Sequence, residues 1–353
     1  MKIETAGEEL VWPNVAKAAC ILFVVMMHSG DHILALPWAH KDQLTSGWMM
    51  VNGFIRPIRM PLFFLVSGLL ASSSMLDPRP DTENNRLVRP IYLYAVWGVI
   101  YQLLIPLKAN PTWFLPSINN SFLLIAMLMV TSWYLAALAI YYLFTKITLQ
   151  LPLALVLVLA AGLSVLGTIY EPSLAGNQPK VLRCVIFFVA GVRMKDALLA
   201  FVETGTAKRA LMLGACYSVG SVIGLKEHKF LLPVDMVAVA FGATLCGLAA
   251  RRFAALAAPA TWLARRTLPI YLIHFLLLPV LADAMATWAG PVLQIFWVGA
   301  AYPILAVPVI VAGSLAAQAV LLRLSASWLF ELPWRDRAAR SPLVLALPAA
   351  RTA

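Results

Sequence analysis

The sequence predicts an all-α polytopic membrane protein with about ten transmembrane helices and both termini in the cytoplasm. Three observations predict it. Apolar residues fill 61% of the 353 positions and charged residues only 12%, against roughly half and a quarter in a soluble domain. The apolar residues fall in runs close to or longer than the ~20 needed to cross a bilayer. The basic residues lie between the runs and favour one side. Mean hydropathy is +0.83.

Backbone in lipid must satisfy its own hydrogen bonds, so each run is read as a helix. The first, 15–36, contains Asn14-Val-Ala-Lys17 at its start and His28-Ser-Gly-Asp31-His32 near its end. Its flank holds Lys2 among Glu4, Glu8 and Glu9, and no small-x-small site follows His28. The span is therefore read as retained, not as a cleaved signal peptide. The second, 49–76, carries Pro57 and Pro61, which suggests a broken or re-entrant start against a protein interior. The third, 87–106, follows Arg86-Leu-Val-Arg89-Pro90, and the fourth, 119–145, holds Ser132-Trp133-Tyr134. The fifth, 149–170, begins Leu-Gln-Leu-Pro. Spans six to eight cover 181–201, 208–225 and 231–250. The ninth, 266–288, follows Arg265-Arg266, and the tenth, 291–325, holds Pro303 and Pro308, where a kink is expected.

With the N-terminus inside, eighteen Lys and Arg fall on inner segments and six on outer ones, setting aside Lys17, Arg56 and Arg59. That bias supports both termini inside. Residues 1–330 are read as one transmembrane domain. Residues 331–353 are read as a basic tail on the inner surface or disordered. The net charge of +11 would point to nucleic acid only as a solvated patch. Here the cations set topology, so the expected partner is the bilayer and not nucleic acid. Cys20, Cys184, Cys216 and Cys246 show no CxxC spacing and are read as packing residues.

The chemistry is sought in polar groups inside the spans. Lys17 and His28 are eleven residues apart, about 16 Å of helix rise, and half a hydrocarbon core is about 15 Å. If Lys17 sits at one face, His28 sits near the midplane, where an ionisable group is a functional candidate by default. A structural histidine bonded to a neighbouring helix is the alternative. Arg59 is about 15 Å into span two by the same arithmetic, with Arg56 one turn shallower on the same face. Arg56 alone could snorkel to the surface. Asp31 and His32 share a face with His28; Asp31 either orients the imidazole or marks the outer interface. Trp133 and Tyr134 are aromatic and read as packing when taken alone. His274 is a second intramembrane histidine. Arg86, Arg89, Arg265 and Arg266 set topology or hold a phosphorylated cytosolic donor. No Walker loop, dinucleotide fingerprint, GxSxG or HExxH occurs, and no metal site is expected.

Several motifs together resemble the membrane acyltransferase family 3: Lys17-x10-His28, Arg59-Met-Pro-Leu-Phe-Phe-Leu-Val-Ser67-Gly68, Arg86-Leu-Val-Arg89-Pro90, Trp133-Tyr-Leu135, Phe187-Phe-Val-Ala-Gly191 and Leu268-Pro-Ile-Tyr271-Leu-Ile-His274. Their order and spacing match over nearly the whole chain. The resemblance implies a multi-pass enzyme of the bacterial inner membrane. Such an enzyme moves an acyl group, usually acetyl or succinyl, from cytosolic acyl-CoA to a hydroxyl of an envelope glycan or glycolipid. It implies acyl-CoA as donor substrate and no permanently bound cofactor. Lys17 stands where many members carry Arg, and Asn14 and Leu62 stand where the Lys branch often has acids. No esterase-like domain follows span ten, so either this chain completes the transfer or a separate extracytoplasmic partner does.

The expected mechanism is direct transfer. His28 is the general base, Asp31 its orienting group and Arg59 the oxyanion stabiliser or donor-phosphate ligand. Lys17, His32, Arg56, Ser67, Trp133, Tyr134, Tyr271 and His274 are expected around the substrates. Arg86, Arg89, Arg265 and Arg266 are expected at the acyl-CoA phosphates. An acyl-histidine relay is a variant. The rival reading is a transporter of lipid-linked sugars or anionic solutes, which would use the same intramembrane cations. A structural or sensory subunit is a third.

Overall fold

The structure, a computed structural model, describes residues 11–32, 36–76, 82–109, 132–171, 176–226 and 232–333. Among these residues the regular structure is entirely helical. In chain order the helices are α1 (Val11–Asp31), α2 (Lys41–Leu76), α3 (Arg89–Ala109), α4 (Trp133–Ile147), α5 (Leu153–Ile169) and α6 (Gln178–Arg193). Then come α7 (Lys195–Glu203), α8 (Ala207–Lys226), α9 (Leu232–Arg252), α10 (Ala257–Ala264), α11 (Thr267–Trp288) and α12 (Phe296–Arg323). A π-helical turn, Asn84–Val88, leads into α3.

Six stretches are long and apolar enough to cross a membrane: Val11–Asp31, Lys41–Met75, Asn84–Leu104, Leu232–Arg252, Thr267–Trp288 and Phe296–Arg323. The protein is an all-α polytopic membrane protein. Two other apolar helices, α4 and α5, are shorter, at 15 and 17 residues. Residues 119–131 of the expected fourth span lie outside the described residues.

Three expectations are corrected. The two prolines of span two do not break it, since Pro57 and Pro61 both lie inside α2. Proline is tolerated inside a membrane helix where neighbours or local adjustments satisfy the freed backbone, and α2 is packed by α1, α6 and α9. At 36 residues, α2 is about 54 Å long, so it outruns the hydrocarbon core. The expected span 181–201 is two helices. It turns at Met194, where Arg193 caps the end of the preceding chain by donating to the Leu149 carbonyl at 2.7 Å and the Leu151 carbonyl at 3.0 Å. The last span starts later, at Phe296, after a 3₁₀ turn at Gly290–Gln294, and Pro303 and Pro308 sit within one continuous helix.

Helix α2 is the hub, packing on α1, α6 and α9. Its crossing with α6 brings backbone against backbone. A Cβ on Gly68 would collide with the Phe188 carbonyl, and one on Gly191 with the Leu65 carbonyl. Small residues at such crossings supply the close van der Waals packing that associates helices in lipid. The Ser67-Gly68 and Phe187–Gly191 motifs therefore face each other. Phe64, Tyr134, Tyr141 and Phe188 stack beside this crossing.

The end of the described chain is also packed. The Trp97 indole donates to the Leu329 carbonyl at 2.7 Å, Arg89 donates to the Phe330 carbonyl at 2.9 Å, and Leu332 is buried. A smaller apolar cluster of Trp38, Leu44, Trp48 and Tyr302 closes the other end of the bundle.

Gly191→Ala should overpack the α2–α6 crossing and destabilise the protein by about 1–3 kcal/mol. Thermal unfolding of detergent-purified protein reads this as a lower midpoint. Gly162→Ala, inside α5 and with an added Cβ that meets nothing within 4 Å, should not lower the midpoint and should raise it slightly, since Ala is the better helix former.

Candidate functional site

Residues three and four apart share a helix face. On α1 that face carries Lys17, Ile21, Val24, His28 and Asp31; on α2 it carries Arg56, Met60, Phe63, Ser67 and Leu70. The two faces line two adjoining cavities. One, of about 860 Å³, lies at the His28 end, within the range of roughly 300–1,000 Å³ usual for small-molecule sites. The other, of about 220 Å³, lies at the Lys17 end. Val24, Met60 and Tyr271 line both.

The larger cavity gathers His28, Asp31, His32, Arg56, Arg59 and Trp133. The Nδ1 of His28 lies 3.5 Å from an Asp31 carboxylate oxygen, with the Asp31 side chain 58% exposed. That distance is too long for a tight hydrogen bond, but it turns Nε2 away from the carboxylate. Phe275 meets the His28 ring edge-to-face at 5.4 Å, and the His274 ring lies 5.4 Å from it at a tilt. His274 is buried, with Nδ1 2.8 Å from the Tyr271 carbonyl and 3.0 Å from that of Ile270. Carbonyls only accept, so Nδ1 holds the proton. Nε2 is then a bare acceptor, buried with no hydrogen-bond partner among the described residues.

Arg59 is 5% exposed. Its Nη2 contacts the Met27 sulfur at 2.6 Å, and its Nε and Nη1 are buried with no hydrogen-bond partner among the described residues. Arg56 is paired with Glu171 at 2.7 Å. An imidazole and a buried guanidinium lining one cavity can between them take a proton and stabilise negative charge.

The smaller cavity brings together Lys17, Ser67, Arg86 and Tyr134. Ser67 Oγ and the Tyr134 hydroxyl are 2.9 Å apart, and the Tyr134 N–H points at the Tyr271 hydroxyl at 3.4 Å. Arg86 donates to the Leu70 carbonyl at 2.9 Å and to Ser74 Oγ at 3.2 Å. The other three arginines considered for donor phosphates lie apart from this cavity's lining. Arg89 holds the Phe330 carbonyl, Arg266 stacks 4.4 Å over the Trp262 ring, and Arg265 is exposed. Asn14 donates to Thr261 Oγ1 of α10 at 3.0 Å, so it ties two helices together.

Sequence reading missed a second layer. Arg183 is paired in two places with Asp235, at 2.6 and 2.5 Å, and both are buried. Arg183, Lys180 and Asn177 line the larger cavity. Read as outer-loop charges, Lys180 and Arg183 gave no local signal of this role. The helix begins earlier than the expected 181, at Gln178, which brings Lys180 onto α6 with Arg183.

Comparison with known proteins gives the family. The family described as Acyltransferase domain matches residues 10–319. A stretch of 64 residues is 34% identical to Inner membrane protein YcfT of Escherichia coli (strain K12). It covers 17% of this chain and 18% of that protein. No solved structure matches. The chain belongs to the Acyltransferase domain family of membrane acyltransferases, since the match spans most of its length.

The buried Arg183–Asp235 pair gives a test of this wall of the cavity. Asp235→Asn leaves the guanidinium unmatched and should destabilise by about 3–5 kcal/mol, seen as a large fall in the unfolding midpoint. Replacing both partners together by Met and Leu should restore most of the loss.

Proposed function

We propose that this member of the acyltransferase family is an acyl-CoA-dependent O-acyltransferase of the bacterial inner membrane. It moves an acetyl or succinyl group from cytosolic acyl-CoA to a hydroxyl of an envelope glycan or glycolipid. The observation that carries the reading is the pair of adjoining cavities, one lined by Lys17 and Arg86 and the other by His28 and buried Arg59. In this reading the chain crosses the membrane about ten times with both termini cytoplasmic, and the Lys17 end faces the cytosol.

Lys17 and Arg86 hold the donor's phosphates, where their charges lie nearest the aqueous phase. The pantetheine arm extends along the α1 face past Val24, Met60 and Tyr271. This carries the thioester over the roughly 16 Å of helix rise between Lys17 and His28. The acceptor occupies the larger cavity. His28 Nε2 takes the proton of the acceptor hydroxyl as its oxygen attacks the thioester carbon. Arg59 lies close by and stabilises the negative charge on the carbonyl oxygen; a preorganised cation away from water acts strongly. As the tetrahedral intermediate collapses, the C–S bond breaks, the CoA thiolate leaves and the imidazolium returns its proton to sulfur. Asp31 orients His28, and His274 packs behind it as a neutral wall. Trp133, His32 and Arg56 border the acceptor.

His28→Ala should retain the fold and lose acyl transfer by about a hundredfold or more, the usual contribution of a positioned general base. Release of free CoA thiol by purified protein, supplied with acetyl-CoA and an envelope extract, reads the loss directly. CoA release at the wild-type rate in that variant would remove His28 from the chemistry. No acceptor-dependent CoA release by the wild type would favour export of the acceptor over its acylation.

A further inference from the structure

The charges lining the larger cavity do not cancel. Four cationic side chains line it, Arg56, Arg59, Lys180 and Arg183, against one carboxylate, Asp31. Arg183 is neutralised by buried Asp235, and Arg56 is paired with Glu171. Arg59 and Lys180 form no ion pair among the described residues. Lys180 donates to Asn177 Oδ1 at 2.8 Å, a neutral partner. After Asp31 is counted, one positive charge is left over. Of Arg59 and Lys180, the lysine is exposed and the arginine is buried, and a buried charge calls for a partner or a polar cavity to face.

Turnover does not remove the excess. When His28 takes the acceptor proton, the imidazolium and the oxyanion form together and offset each other. The donor's phosphates are elsewhere, at the Lys17 end. A group that stays anionic through the reaction would pair with Arg59, and the acceptor is the component that can bring it.

Resting on the acyltransferase reading, we propose that the acceptor is anionic: it carries a phosphate or carboxylate that docks between Arg59 and Lys180 while its hydroxyl faces His28. Arg59 supplies the buried end of this site through one of its two unmatched donors, Nε or Nη1, and keeps the other for the carbonyl oxygen. Lys180 supplies the accessible end, at the start of α6. Phosphate has two sources, a lipid-linked sugar phosphate or a phosphorylated glycan. A carboxylate comes from an acidic sugar.

The test is equilibrium binding to protein in phosphatidylcholine nanodiscs, with empty nanodiscs subtracted. The probes are octyl phosphate, octyl glucuronide and uncharged octyl glucoside. At least one anionic probe should bind about tenfold or more tightly than octyl glucoside, the worth of one charge-assisted hydrogen bond. Lys180→Gln should remove most of that preference, and this exposed substitution should not disturb folding. A preference for octyl phosphate assigns the phosphate source, and a preference for octyl glucuronide assigns the acidic sugar. Weak or absent binding of both anionic probes, or a preference unchanged in Lys180→Gln, overturns the proposal. CoA release measured on the same preparation separates the two readings. An anion preference without CoA release keeps the site and removes the acyltransferase. CoA release without an anion preference removes the anionic acceptor alone.

Discussion

Charge placed inside a bilayer must be paired or must face a cavity, and this constraint arranges the helices around α1 and α2. Arg183 of α6 meets its demand by pairing with Asp235 of α9, and Arg56 meets it through Glu171. Arg59 meets it the second way, by lining the larger cavity with two donors that no protein group fills among the described residues. His28 lines the same cavity, so the cation without a protein partner and the proposed base share one space.

The close crossing of α2 and α6 makes that space possible. With glycine at 68 and 191 the two backbones touch, and the start of α6 shares a cavity with Arg56 and Arg59 of α2. Lys180 and Arg183 stand on that cavity's wall. The packing that replaces a hydrophobic driving force in lipid thereby also sets the electrostatics of the site.

Much of the site was legible because it is written at helical spacing. Positions 17, 21, 24, 28 and 31 step by four and three, and so do 56, 60, 63, 67 and 70. Depth arithmetic from helix rise put His28 and Arg59 at matching levels, and they share a cavity. The membrane class of the fold was equally plain from the apolar runs. What could not be read depends on contacts distant in sequence. Asp235 lies 52 residues from Arg183, and no local pattern links them. Arg89 sits in a motif with Arg86, yet it serves the Phe330 carbonyl 241 residues away. Proline misled for a related reason: Pro57 and Pro61 break a lone helix, but α2 is supported by its neighbours.

The central claim is that an acyl group leaves CoA and arrives on an envelope hydroxyl through His28. The most direct measurement is mass spectrometry of envelope glycans and glycolipids from cells lacking this chain, complemented with wild type or His28→Ala. The account predicts that one anionic species loses an acetyl or succinyl mass and regains it only with wild type. Unchanged acylation, with an unmodified precursor stranded on the inner face, would contradict it.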